Sequence, residues 1–444
     1  MSFTRESLRR KLAGLAELAG TPGRLIVAFS GGLDSTVLLH ALATGAKVAD
    51  ESLLAVHVNH GLNENSNDWL RSCESVAGEL GVPFESMDAI VDRSDGQGLE
   101  AAARHARYGV LRRFVTDSDW LLSAHHRDDQ AETLLLNLMR GSGPAGLAGI
   151  GEVQPVAEGW LVRPLLDYSR RDLLEYAERF GLTWIDDPSN EDRSFDRNYL
   201  RHEILPRLDE RWPKASTRLR RSAVLASEAA TMLDQLAELD RQNLGERPDV
   251  LSLTGLLALP GERQRNLLRY VVRELGLPSP PAAVLTSVVN ELVLASEDAQ
   301  PLVQWAGAEV RRYRDRVYVL AARDDGFSPE PQEIRSGRAD LGPDLGRLEL
   351  RPGAAKGLSD AVVNSGLTVR YREGGEKLKI DNQIYTKKLK SLLQEEGVVP
   401  WMRERLPLIY SGDQLVAVGD LWIASDAFST PGVGIRWSER PALH

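Results

Sequence analysis

The chain has a single cysteine, Cys73, among 444 residues. One thiol rules out an internal disulfide and any metal site built from cysteines, and it fits a reducing compartment, so a cytoplasmic location is expected. Long apolar runs are also missing: none approaches the roughly 20 residues of a membrane span, and the polar start Met1-Ser-Phe-Thr-Arg lacks the apolar core of a secretory signal. No membrane partner is expected. Excess positive charge is absent too. A formal net charge of −10 excludes a protein that coats nucleic acid by bulk charge, but not one with a local basic face. Arginine and lysine crowd into residues 193–221, 263–273 and 377–390. One such cluster is usually a solvated helix face, whereas three in one chain give weight to a polyanionic partner. What is present is otherwise ordinary for a soluble protein, with 42% hydrophobic and 27% charged residues, no internal repeat, and too much chain for one compact core.

The most informative stretch is Leu25-Ile-Val-Ala-Phe-Ser30-Gly31-Gly32-Leu33-Asp34-Ser35, followed by the helical pattern of Thr36-Val-Leu-Leu-His40. A short apolar run, a glycine turn and a helix start make a phosphate cradle. Glycine lets backbone N–H groups approach an anion, and the helix dipole adds partial positive charge at the same point. Two glycines alone would only make the turn. Here two serine hydroxyls and the Asp34 carboxylate stand beside them, and a carboxylate at a phosphate site serves to hold a cation or orient a nucleophile. The loop has neither the lysine of a Walker loop nor the glycine spacing of a dinucleotide fingerprint.

Along the chain, strand and helix patterns alternate. The reading is a helix over 6–18, strands from 25, over 53–58, 84–87 and 120–123, and helices over 69–80, 98–115 and 131–140. Repeated crossovers imply a doubly wound parallel sheet, an α/β fold whose ligand sits at the carboxyl ends of the strands. The polar residues that follow the strands fall there: His57, Asn59, His60 and Gly61 after one, and His125, His126, Asp128, Asp129 and Glu132 after another. Residues 141–164 read as loop, 169–180 as helix, 184–190 as turns, and 197–202 as the start of another helix. The expected organisation is a catalytic domain over 1–213, a helical domain over 214–323, a linker and irregular region over 324–366, and a small α/β module over 367–444 with strands at 415–418 and 434–437.

Three carboxylates and two imidazoles at a helix start could bind a divalent metal, hold a substrate ammonium or cap the helix. Capping explains one aspartate well. For the whole set the like charges call for a cationic partner, and Asp129 and Glu132 are spaced to share a face.

The loop at Ser30, Gly31, Gly32, Leu33, Asp34 and Ser35 resembles the SGGxDS signature of the PP-loop ATP pyrophosphatases, an adenine nucleotide alpha hydrolase-like group that cleaves ATP between the α- and β-phosphates and adenylates a carbonyl oxygen. The wider set is similar to the tRNA(Ile)-lysidine synthetases: Gly98-Leu-Glu-Ala-Ala-Ala-Arg104 with Arg107-Tyr108, the HHxDDQxET block from His125 to Thr133, Arg140-Gly-Ser-Gly143 with Gly146-Leu147, Arg163-Pro-Leu-Leu166, Asp187-Pro-Ser-Asn190, Arg197-Asn198, Arg372-Glu-Gly-Gly-Glu-Lys377, Lys387-Lys-Leu-Lys390 and Pro400-Trp401. The resemblance spans nearly the whole chain and is weakest in the middle helices. It implies a two-step ligation. ATP adenylates the ring carbonyl oxygen of the wobble cytidine in the CAU-anticodon isoleucine tRNA, and the ε-amine of free L-lysine then displaces AMP. On this reading Ser30 to Ser35 hold ATP together with His57 and Asn59, and Asp34 faces Mg²⁺. His125, Asp128, Asp129 and Glu132 take the lysine, Asp129 and Glu132 help remove its proton, and Arg104 and Arg197 stabilise phosphate or carboxylate charge. The middle and last domains would contact tRNA, with a homodimer as one option for assembly. One departure stands out: Asn63 occupies the place where the family usually has arginine.

Two neighbours of the same superfamily fit poorly. Sulfur transfer to tRNA generally needs paired cysteines, and a glutamine-dependent synthetase needs a nucleophile that Cys73, inside an expected helix, does not offer. A non-catalytic tRNA-binding homologue would be expected to have lost Asp34, Asp129 or Glu132, and all three are present.

Overall fold

The computed structural model describes every residue except 1, 47–51, 60, 62–64, 91–98, 246, 293–294, 296–298, 300, 324–325, 328, 343 and 381–384. The readings on His60, Asn63 and Gly98 therefore lie outside the described residues. The chain divides into two compact units, Met1–Leu233 and Asp234–His444. The division falls inside a helix, Ala215–Leu244.

The first unit is built on a six-stranded sheet in the order β3-β2-β1-β4-β6-β5. The strands are β1 (Arg24–Ala28), β2 (Ser52–Asn59), β3 (Phe84–Asp88), β4 (Trp120–Leu122), β5 (Val153–Val156) and β6 (Gly159–Val162). All neighbours are parallel except the β5–β6 hairpin. The helices are α1 (Arg5–Ala19), α2 (Leu33–Ala41), α3 (Ser66–Glu79), α4 (Leu99–Leu111), α5 (Arg127–Met139), α6 (Pro144–Leu147), α7 (Arg170–Phe180), α8 (Asp196–Tyr199), α9 (Leu205–Arg211) and the part of α10 (Ala215–Leu244) up to Leu233. Alternate residues of each strand face opposite sides, so β1 sends Leu25 and Val27 to one core and Ile26 to the other. Leu8 and Leu12 of α1, Leu38 and Leu39 of α2 and Leu173 of α7 cover the first face; Val110 and Leu111 of α4 cover the second. The doubly wound parallel α/β sheet is as the sequence pattern implies.

Two local expectations change. Residues 141–164 hold α6 and the β5–β6 hairpin; its four-residue strands, broken by Pro155 and Gly159, are too short to show a period. Helix α5 starts at Arg127, four residues before the expected start, because His126 caps it and admits the polar Arg127-Asp-Asp-Gln segment to its first turn.

The second unit contains more sheet than its sequence suggests. Strands β7 (Val250–Ser252), β8 (Leu302–Trp305), β9 (Ala308–Tyr313) and β10 (Arg316–Ala321) form an antiparallel sheet beside α11 (Leu253–Ala258), α12 (Gly261–Glu274) and α13 (Ala282–Ser287), so the expected helical domain is mixed. Charge hid those strands: Glu309 is 1% exposed, yet both its oxygens accept from Arg311, at 2.7 and 3.0 Å. The stretch expected as linker also contributes structure, since Arg347–Ala354 pairs with Gly432–Ser438 through a bulge between Arg351 and Ala354. Strands at Gln414–Val418 and Leu408–Ser411 and the helix Leu389–Glu396 complete that α/β module around Leu393, Ile409 and Val416.

Leu121 is fully buried against Ile26, Val56 and Leu161. Leu121→Ala should lower the stability of the first unit by about 2–5 kcal/mol, read as an earlier midpoint in urea unfolding.

Candidate active site at the carboxyl ends of the strands

Parallel pairing places Val27 of β1 beside Ala55 of β2 and Leu122 of β4, so the segments leaving these strands emerge side by side. From β1 the chain turns through Ser30, Gly31 and Gly32 into α2. Gly31 has φ +80°, and a Cβ there would lie 2.5 Å from Ile185 Cδ1 and 2.7 Å from Cys73 Sγ. Only glycine suits both the conformation and the space. The turn is tied in place: Ile185 N–H donates to Gly31 O at 2.9 Å, Thr36 Oγ1 donates to the same oxygen at 3.2 Å, and the Ser30 and Ser35 hydroxyls lie 3.1 Å apart. Leu33 turns its side chain into the core and leaves only its main chain for a ligand. Asp34, in the first turn of α2, has Oδ1 buried without a hydrogen-bond partner, and burial raises its pKa.

Beyond β4, His126 forms the cap of α5. Its Nδ1 accepts from the N–H groups of Asp128 (3.2 Å) and Asp129 (3.4 Å), while the His126 backbone N–H donates to Asp129 Oδ2 at 2.8 Å. A ring whose Nδ1 lone pair is used in this way carries its proton on Nε2. That atom lies 3.6 Å from Asp34 Oδ2 and 3.5 Å from Asp129 Oδ2, between two carboxylates from different elements. Arg201 closes the other side. Its Nε donates to Glu132 Oε1 at 2.7 Å, and its Nη2 lies 3.1 Å from Glu132 Oε2 and 3.0 Å from Asp129 Oδ1. Glu132 is wholly buried; burial and the charge of Asp129 push its pKa up. Burial works against the charge of Asp129 as well, yet His126, with the backbone N–H it donates, and Arg201 hold its pKa below the usual carboxylate range.

A positive cluster adjoins this negative one. Arg104 and Arg107 of α4 lie over the Tyr108 ring, and the buried Arg163 donates to Gly151 O at 2.7 Å. Burial would raise the pKa of Tyr108, but Arg104, Arg163 and Arg107 outweigh it and lower it. His125 stands between the two clusters, sharing a 2.6 Å hydrogen bond with Ser123. Burial, with the three arginines acting in the same sense, pushes its pKa down to about 3. A negative and a positive pole joined by a neutral imidazole suit a zwitterion that carries an additional amine.

The remaining expected residues are spread around this centre. His57 Nδ1 donates to Phe29 O at 2.9 Å, which leaves Nε2 as an acceptor next to the phosphate turn. Asn59 Oδ1 is occupied by the N–H of Gly61 at 3.0 Å. Arg197 reaches Thr133 Oγ1 of α5 at 3.4 Å. Asp128 is turned away from the cluster, its Oδ2 accepting from the N–H of Arg170 at the start of α7, because successive helix positions point about 100° apart. Among the described residues, no three His, Cys, Asp or Glu side chains are grouped to hold a metal by themselves. An ion that takes its other ligands from phosphate and water would need only the bare Asp34 oxygen.

Three family models match the chain: a PP-loop domain over residues 4–208, a TilS substrate binding domain over 251–318, and a TilS substrate C-terminal domain over 367–437. The tRNA(Ile)-lysidine synthase of Alkalilimnicola ehrlichii is 40% identical over 429 residues, covering 96% of this chain and 95% of that one. The chain belongs to the tRNA(Ile)-lysidine synthase family. The synthase of Coxiella burnetii is 38% identical over 437 residues (98% and 96% of the two chains), and that of Methylococcus capsulatus 39% over 422 residues (93% and 95%).

Sequence reasoning brings His126 to this family member's site without its role, and misses Arg201. His126 has nothing in the sequence to separate it from His125, since only the cap geometry decides which ring lies between the carboxylates. Arg201 sits in a basic run that reads as a solvated or RNA-facing surface. The available signal was charge balance: clustered carboxylates need a cation, and Arg201 follows Arg197 by one helical turn.

Gly31→Ala should cost about 2–4 kcal/mol in thermal or urea unfolding, from strain at positive φ together with overpacking. The double variant with Ile185→Ala should lose less than the sum of the two single losses. The low pKa of His125 sets a pH dependence. Its folded pKa of about 3 lies below the ordinary 6.5, so its contribution is present above pH 6.5 and is lost as pH falls toward 3. The loss between pH 7 and pH 5 should be on the order of 2 kcal/mol, and His125→Asn should flatten that part of the stability curve.

Proposed function

We propose that the protein joins L-lysine to the wobble cytidine of the CAU-anticodon isoleucine tRNA, consuming ATP and releasing AMP and pyrophosphate. The observation that carries this reading is the position of His126 Nε2, 3.6 Å from Asp34 and 3.5 Å from Asp129, because it sets a nucleotide-handling loop directly against carboxylates suited to an amine. The names of the full-length relatives support the same reading.

In the first step the cytidine carbonyl oxygen attacks the α-phosphorus, an O–P bond forms, the bond to the β-phosphate oxygen breaks, and pyrophosphate leaves. The N–H groups around Gly31 and Gly32, the Ser30 and Ser35 hydroxyls and the start of α2 receive the phosphates. Asp34, through its unpartnered Oδ1, is the residue suited to hold Mg²⁺. When bound, that ion neutralises phosphate charge. In the second step the ε-amine attacks the ring carbon that bears the adenylated oxygen, a C–N bond forms, the C–O bond breaks, and AMP leaves with that oxygen. An ammonium with a pKa near ~10.4 must first lose a proton, and Glu132, with its raised pKa, is the better acceptor, while Asp129 stays charged and holds the amine. Arg104 and Arg163 suit the lysine carboxylate, and Arg197 suits phosphate. The basic stretches of the second unit suit the tRNA backbone. Among the described residues no helix is long and apolar enough to cross a membrane.

Purified protein given ATP, Mg²⁺, labelled lysine and this tRNA should transfer label to the tRNA; binding of the tRNA without transfer would refute the reading. Asp34→Ala should abolish AMP release and leave tRNA affinity within about threefold, as expected of a residue that acts on the nucleotide alone. A large loss of tRNA binding would instead assign Asp34 a structural role.

A further inference from the structure

Every oxygen of the carboxylates assigned to the incoming amine is already paired. Both oxygens of Glu132 accept from Arg201, and Asp129 Oδ1 does the same. Asp129 Oδ2 accepts the His126 backbone N–H and faces His126 Nε2. Each oxygen keeps a second lone pair, but Glu132 is wholly buried and the more exposed Arg201 covers it, so an ammonium that arrives from solvent has to displace a partner. The His126 N–H is part of the α5 cap and is fixed by the helix. Arg201 is not fixed in that way. Its side chain is 28% exposed, whereas that of Glu132 is 0%, so Arg201 lies on the solvent side of a buried acid like a stopper. Its backbone belongs to a π-helical turn, Leu200–Ile204, set between the short helices α8 and α9, a geometry that marks wide and adjustable turns at functional sites.

Resting on the lysine-site reading above, we propose that Arg201 is a displaceable stand-in for the substrate ammonium, paired with Asp129 and Glu132 in the lysine-free protein and expelled from them when lysine enters. A second cation placed against the first would be repelled, so exchange is favoured over sharing. The same device selects the substrate. A neutral side chain cannot replace a guanidinium on a buried carboxylate, because it would leave that charge unpaired. In its paired position Arg201 is already within electrostatic reach of Asp34 at the phosphate loop, and its planar fork matches phosphate oxygens. Lysine binding therefore delivers a cation toward the nucleotide, and by linkage nucleotide binding favours lysine.

Calorimetric titration of L-lysine into the full chain, with and without α,β-methylene-ATP, tests this. Without nucleotide, Arg201→Met should bind lysine about tenfold more tightly than the wild type, with Arg201→Lys between them. The nucleotide analogue should tighten lysine binding to the wild type by about tenfold and to Arg201→Met by less than about twofold. Weaker or unchanged lysine binding in Arg201→Met, or a nucleotide effect that survives in it, would overturn the proposal. If Arg201→Met does not fold, as judged by circular dichroism, Arg201→Lys and the wild-type nucleotide effect decide, and absence of either shift overturns it. Glu132→Gln separates the two levels: if it binds lysine as the wild type does, the lysine-site reading itself is wrong, whatever Arg201 does.

Discussion

The structure depends on holding Asp34, Asp129 and Glu132 close together out of bulk water. Like charges in a poorly solvated pocket repel, and they remain folded only when cations and helix termini compensate them. The compensation comes from separate parts of the first unit: the α5 N-terminus through His126, and Arg201 from the turn between α8 and α9. Segments distant in sequence are thereby committed to one point at the carboxyl edge of the sheet. The same arrangement suits the cationic substrate proposed above, so on that reading the stability problem and the binding function share one electrostatic origin.

Close packing imposes a second constraint. The turn at Gly31 rests on Cys73 and Ile185 with no room for a Cβ, which fixes the phosphate turn against α3 and the 184–187 segment. The chain's one cysteine is buried there, with its pKa pushed up to about 12 by burial. It acts as a small apolar support and not as a thiolate.

Much of this was legible in the residues themselves. The apolar run at 25–29 followed by Ser30-Gly31-Gly32 carries strand, turn and helix in one line, and strand–helix alternation predicts the doubly wound sheet. The carboxyl-end rule then collects Asp34, His57, Asp129 and Glu132 on one edge before any coordinate is known. What was hidden has physical causes. The β5–β6 hairpin is too short to show a period, and β9 carries charged residues whose burial is made tolerable by an Arg311–Glu309 pair. Asp128 and Asp129 are adjacent in sequence but face different partners, and Arg201 contributes through a tertiary contact that no local pattern encodes.

On the proposed function two neighbouring groups divide the work: the Gly31–Asp34 turn serves adenylation, and Asp129 with Glu132 serves the amine. Rapid-quench measurement of pyrophosphate release and lysine transfer in Glu132→Gln, with ATP, Mg²⁺ and tRNA present, tests it most directly. The account predicts release of about one pyrophosphate per tRNA with lysine transfer slowed at least about a hundredfold, the adenylated tRNA accumulating, since loss of a general base typically costs that much. Equal loss of both steps would contradict it.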